Sequence, residues 1–139
     1  MTNQLNTSSQ SSKSGSPDLC EIEKKHQEIM AMIDNLILAL RNDKLENAMD
    51  KHIRELGGKV LDCFDREEKC MINSKYTDYD AHKGEHIKFL KNFAVLKRLC
   101  EDEGSLDQLS VAIRNQVVEW LTNHITSVDK NMLNYLKSR

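Results

Sequence analysis

Residues 82–99 read HKGEHIKFLKNFAVLKRL, and the spacing of side chains in this stretch decides the fold. His86, Phe89, Leu90, Phe93, Leu96 and Leu99 recur at intervals of three and four, the repeat of an amphipathic helix with about 3.6 residues per turn. A helix is expected from Ala81 to Cys100, closed by Glu101 to Gly104. His82 and His86, four apart, then project from one face of it, one turn above the other.

The same period extends outward in both directions. Upstream, Ile22, Ile29, Ile33, Leu36, Ile37 and Leu40 predict a first helix over about Asp18–Arg41, ended by a polar break at Asn42-Asp43. Leu45, Met49, Ile53, Leu56, Val60, Phe64 and Met71 predict a second, to about Ile72. Gly57-Gly58 inside it costs about 1 kcal/mol per glycine against alanine. The pair reads either as a break into two shorter helices or as a point of close packing. Asn73 to Tyr79 is a polar, aromatic loop.

Downstream, Ser105 is a plausible N-cap with Asp107 in the first turn. Leu106, Leu109, Ile113, Val117, Trp120, Leu121, His124 and Ile125 continue the period, and Asp129 to Leu136 is weakly helical. Residues 1–17, rich in Ser, Asn, Gln and Thr, offer almost nothing to bury and are expected to form a flexible polar tail. Residues 18–139 are expected to form one domain. Four helices with short connections predict an all-α fold, an antiparallel up-down-up-down four-helix bundle.

A chain of 139 residues can bury a core without disulfides or a structural metal. The formal charge of -2 and a pI near 6.2, with both signs mixed along the chain, leave no basic block for nucleic acid or an anionic membrane. No run approaches the roughly 20 apolar residues of a membrane span. The opening MTNQLNTSSQ does not resemble a secretory signal, so a cytoplasmic location is expected. Cys20, Cys63, Cys70 and Cys100 are irregularly spaced without a CxxC pair, which suits reduced thiols. Composition leaves the oligomeric state open.

Chemistry concentrates at a few inward positions. Cys63 and Glu67 repeat the spacing of four seen in His82 and His86, offering a thiolate and a carboxylate to one centre. His26 lies on the inner stripe of the first helix, and His124 on that of the last. Asp129 follows His124 by five, a spacing that needs a helix end or bend to turn the carboxylate back. Each alone has an ordinary explanation as a surface or core residue. Together they are many polar groups to bury without a shared partner, and a metal is such a partner. His52, eleven residues before Cys63 and so about 16 Å away along a helix, reads as surface. Glu68 and Glu85 read as outward, solvated charges, and Phe64, Phe89, Phe93, Trp120 and Leu121 as bundle filling that would also shield the centre. Tyr76 either lines or covers its loop end.

The order His26, then Cys63-Phe64-Asp65-Arg66-Glu67-Glu68, then His82-Lys83-Gly84-Glu85-His86, then Trp120-Leu121-Thr122-Asn123-His124-Ile125 with Asp129, resembles the hemerythrin family, whose pattern runs His, HxxxE, HxxxH and HxxxxD. Ile22-Glu23-Lys24-Lys25-His26 is similar to the first helix of bacterial members. The likeness covers about residues 18–135. It implies a non-haem centre of two Fe ions: His82, His86 and His124 on one, Glu67 and Asp129 bridging, and His26 with Cys63 on the second, which keeps an open position for dioxygen. Cys63 stands where the family has histidine. Three readings of it are open: a thiolate ligand to the second iron, a poor ligand that leaves that iron labile or absent, or an ordinary buried cysteine.

The resemblance thus implies a binding protein ahead of an enzyme, holding dioxygen or a related small ligand such as nitric oxide or peroxide for storage, delivery or sensing. Alternatives are a di-iron redox enzyme or sensor reacting through a Cys63-ligated iron, and a structural bundle holding zinc or no metal.

Overall fold

The computed structural model describes residues 17–41, 46–101 and 106–138, and every element among them is helical. Helix α1 runs Pro17–Leu40, α2 Glu46–Asn73 and α3 Tyr79–Glu101. A fourth rod is built from α4 (Leu106–Ile113), a π-helical segment Arg114–Glu119, α5 (Trp120–Asn123), a second π-helical segment His124–Val128, and α6 (Asp129–Lys137). The protein is an all-α four-helix bundle. The expected tail lies outside the described residues apart from Pro17, which opens α1, where a missing N–H costs nothing. The Asn42-Asp43 break, the Ser105 cap and the closure over 102–104 also lie outside them.

Cross-helix pairs give the course of the chain. Glu21 meets Arg66, Lys25 meets Asp62 and Glu28 meets Lys59, so residue numbers rise along α1 as they fall along α2. Phe64 packs on Phe89 while Gly57 lies against Phe93, the same reversal between α2 and α3. His82 lies by Asp129 and Phe89 by Trp120, repeating it between α3 and the fourth rod. An up-down-up-down course requires this order.

Helix α2 passes unbroken through Gly57-Gly58. A Cβ placed on Gly57 would come within 2.6 Å of the Phe93 ring, whereas one on Gly58 meets nothing within 4 Å. Close packing therefore accounts for Gly57, and the alternative of two shorter helices is discarded.

The connection after α2 turns at Lys75, whose φ of 56° is left-handed. Its backbone is tied down by Tyr76 N–H donating to Met71 O at 2.9 Å and by the Tyr135 hydroxyl donating to Ser74 O at 3.0 Å. Tyr76 packs on Tyr135 and edge-on to His82, so it both lines and covers this end.

The core is divided. A large apolar cluster joins Ile29, Ile33, Leu56, Val60, Phe89, Phe93, Ile113, Val117 and Leu121. A smaller one joins Leu19, Ile22, Met71, Met132 and Leu136. Between them along each helix lie the buried polar residues His26, Glu67, His82, His86, His124 and Asp129. A polar layer sandwiched between two apolar ones is desolvated from both sides, which makes any unshared polar group in it costly.

Candidate metal centre

Each helix supplies its share of this layer through its own period. Cys63 and Glu67 sit one turn apart on α2, and His82 and His86 one turn apart on α3, all four buried. His26 comes from α1 between Ile22 and Ile29. The fourth rod needs a different device. In an α-helix, five residues separate two side chains by about 140° at roughly 100° per residue, which would turn Asp129 away from His124. Here the intervening residues form a π turn, closed by Asp129 N–H donating to His124 O, and both side chains face inward. The sequence prepares this widening: the hydroxyls of Thr126 and Ser127 donate to Thr122 O and Asn123 O, each at 2.7 Å, competing for the helical carbonyls. The expected helix end or bend is thus a widened turn, and Asp129–Lys137 is fully helical rather than weakly so.

The carboxylates lie at the middle. One oxygen of Glu67, Oε2, is 2.6 Å from His26 Nε2 and accepts from Cys63 Sγ at 3.3 Å. The other, Oε1, is 3.3 Å from His82 Nε2 and 3.1 Å from His86 Nε2. Asp129 divides in the same way, with Oδ2 3.1 Å from His26 Nε2, and Oδ1 3.0 Å from His82 Nε2 and 3.1 Å from His124 Nε2. Ligand-type atoms of Glu67, His82, His86, His124 and Asp129 lie within 4.8 Å of one another, as do those of His26, Cys63 and Glu67. All seven residues expected at the site are brought together, and His52, half-buried on α2, is not among them.

Several of these close contacts are near without being aligned. His86 Nε2, His124 Nε2 and Asp129 Oδ1 are buried and make no aligned hydrogen bond. Atoms grouped round a shared point, with their lone pairs aimed at that point rather than at each other, are what a metal requires. The donor types also suit one: imidazole and carboxylate for iron, with a thiolate on one side. The residues fit a non-haem metal centre.

Without metal, protons and ion pairs hold the cluster together. Burial disfavours the charged rings of His26 and His82, but the close carboxylates of Asp129 and Glu67 outweigh it and raise both to about 9. Burial likewise opposes ionisation of Asp129 and Glu67, and the surrounding histidine rings overcome it, holding both below the ordinary carboxylate range. Burial, then the charges of Glu67 and Asp129, push the Cys63 thiol far up. A thiolate there needs a cation beside it to reverse that balance.

One expectation is corrected. Glu68 is no solvated outer charge: its Oε2 accepts a hydrogen bond of 2.8 Å from His86 Nδ1. Glu85 comes only within 3.7 Å of His124 Nδ1 and stays half-exposed. Aromatic rings hold two ligands flat: Phe64 stacks on His86 at 3.7 Å, and Trp120 on His124 at 4.6 Å. The i,i+4 spacing of Trp120 and His124 was a sequence signal for the second stack. Nothing local announced the first.

A helical bundle whose buried polar layer could hold a metal ion defines the class. The chain matches the family model described as the hemerythrin HHE cation binding domain over residues 19–136. It is 26% identical over 104 residues to the bacteriohemerythrin of Aquifex aeolicus (strain VF5), covering 75% of this chain and 79% of that protein. It is 32% identical over 110 residues to the bacteriohemerythrin of Methylococcus capsulatus, covering 78% of this chain and 80% of that protein. No solved structure matches significantly. The chain belongs to the hemerythrin family.

Proposed function

We propose that the protein holds a non-haem di-iron centre and binds dioxygen, or a related small ligand such as nitric oxide or peroxide. The observation that carries this reading is the division of both carboxylates, each giving one oxygen to the three-histidine group and the other to His26. In this reading His82, His86 and His124 would hold one iron, His26 and Cys63 the second, and Glu67 and Asp129 would be shared between them. When bound, two irons would supply the electrons for holding dioxygen. Phe64, Trp120 and the apolar layers exclude water, and Glu68 fixes the orientation of His86. Storage, delivery and sensing all follow from reversible binding of that kind. Among the described residues no helix is long and apolar enough to cross a membrane.

Cys63 favours a second reading, a redox enzyme or sensor. Its sulfur reaches the same Glu67 oxygen as His26 does, so a metal in this half acquires a thiolate neighbour. Electron donation from sulfur promotes O–O cleavage over reversible binding in thiolate-ligated haem.

Metal analysis after anaerobic purification tests the first reading, which expects two irons per chain and stoichiometric, reversible oxygen uptake. Absence of iron, or zinc in its place, sinks it. Catalytic turnover of peroxide with a reductant would favour the second reading. Oxidised, iron-loaded protein should show a sulfur-to-iron charge-transfer band that Cys63→Ala removes; a spectrum unaltered by that change would rule out Cys63 as a ligand.

A further inference from the structure

Between α1 and the end of the fourth rod lies an open cleft of about 420 Å³, whose lining includes Glu23, His26, Gln27, Thr126, Lys130 and Lys137. His26 is the one member of the polar layer in that lining. Its side chain is 8% exposed, against 0–1% for Glu67, His82, His86, His124 and Asp129. It turns Nε2 inward to the two carboxylates while the residue lines the cleft. On the opposite side, the Phe64 and Trp120 stacks close off His86 and His124.

The charge of the cleft has a sign. Lys137 is neutralised by Glu23 at 3.0 Å. Lys130 is exposed, and among the described residues no carboxylate lies within ion-pair distance of it. Gln27 and Thr126 add hydrogen-bonding groups. The volume is in the range of small-molecule sites, about 300–1,000 Å³. These features suit a small anion with oxygen acceptors.

We propose that this cleft is the electron-entry port of the centre, where a small anionic reductant docks by Lys130 and delivers an electron through the edge of His26. The proposal rests on the reading of His26 as an iron ligand. Electron transfer weakens steeply with path length, so the ligand nearest solvent controls the rate. One electron leaves the donor and reduces one ferric ion to ferrous; no bond forms or breaks, and the donor is released as its one-electron-oxidised radical.

The test uses the full chain, iron-loaded and oxidised, mixed rapidly with ascorbate or with hexaammineruthenium(II), a cationic reductant. Lys130→Glu should slow reduction by ascorbate about five-fold at low ionic strength and speed reduction by the ruthenium complex, with both effects lost at about 1 M salt. Lys97→Glu, an exposed position on α3, is the control and should change neither. Iron content and ferric absorption are read first, because their absence in the unaltered protein counts against the iron reading. Iron-replete protein whose rates do not respond to Lys130→Glu, or respond equally to Lys97→Glu, overturns the port. Independently of iron, ascorbate titrated into the metal-free chain should shift the amide NMR signals of Gln27, Thr126 and Lys130. Unmoved signals there would also overturn it.

Discussion

Glu68 and His86 form a hydrogen bond of 2.8 Å across the α2–α3 interface, and the opposite nitrogen of the same ring lies 3.1 Å from Glu67. Adjacent carboxylates thus grip the two ends of one imidazole. Glu68 fixes the proton on Nδ1 and leaves Nε2 with its lone pair toward the centre, raising its basicity as a ligand. Removing such a partner typically costs about 10–100-fold in metal affinity. Glu68→Ala should therefore weaken iron binding by that order in competition with a chromophoric chelator, while Glu68→Gln, which keeps an acceptor oxygen, recovers much of it. Equal affinity of the alanine variant and the unaltered protein would show that packing alone orients His86.

The two glycines of α2 should respond in opposite directions. At Gly58 a methyl group meets nothing, so Gly58→Ala gains helix propensity, about 0.5–1 kcal/mol. At Gly57 the methyl would enter the ring of Phe93, which is itself packed on Phe89. Overpacking of this kind costs about 1–3 kcal/mol, more than the propensity returns. Urea denaturation of the two variants should place their midpoints on either side of the original.

Acid and base act on the metal-free protein through the same cluster. His26 and His82 are raised from 6.5 to about 9, so their contribution to stability is complete below pH 6.5 and disappears as pH rises through 9. Glu67 and Asp129 are lowered, so theirs is present above the ordinary carboxylate values and is lost as pH falls through the lowered ones. Thermal unfolding of chelator-treated protein should show greatest stability near pH 5–6.5, with Tm falling by roughly 5 °C or more by pH 9.5. Loading with metal replaces the ring protons, so apparent metal affinity should rise across the same interval. A flat Tm profile from pH 6 to 9.5 would count against protonated rings in the metal-free site.

Most of the ligand set was legible because it depends on local spacing. Cys63 with Glu67, and His82 with His86, are one turn apart in any helix, so recognising the helices placed them on common faces. His26 and His124 followed from the apolar stripes in which they stand. Glu68 was not legible. It follows Glu67 by one residue, a rotation of about 100° that points to solvent on an isolated helix, and only the approach of α3 gives it a partner. Gly57 carried two readings because the cost of glycine in a helix is visible locally while the ring that requires it, Phe93, is 36 residues away. The π turn was half legible: the five-residue step from His124 to Asp129 demanded some departure from α geometry, and the hydroxyls of Thr126 and Ser127 are its local cause.

That widened turn does more than aim a carboxylate. Ile113, Val117, Leu121 and His124 share one angular phase, and Met132 and Leu136 keep it only because the turn absorbs one extra residue before Asp129. Insertion of one more residue between His124 and Asp129 would rotate every side chain of α6 by about 100° against the bundle, whereas deletion of one would leave a step of four that an ordinary α turn carries on the same face. The extra residue and the widened turn are thereby matched to each other, and the spacing that serves the candidate metal centre also keeps the C-terminal helix in frame with the bundle.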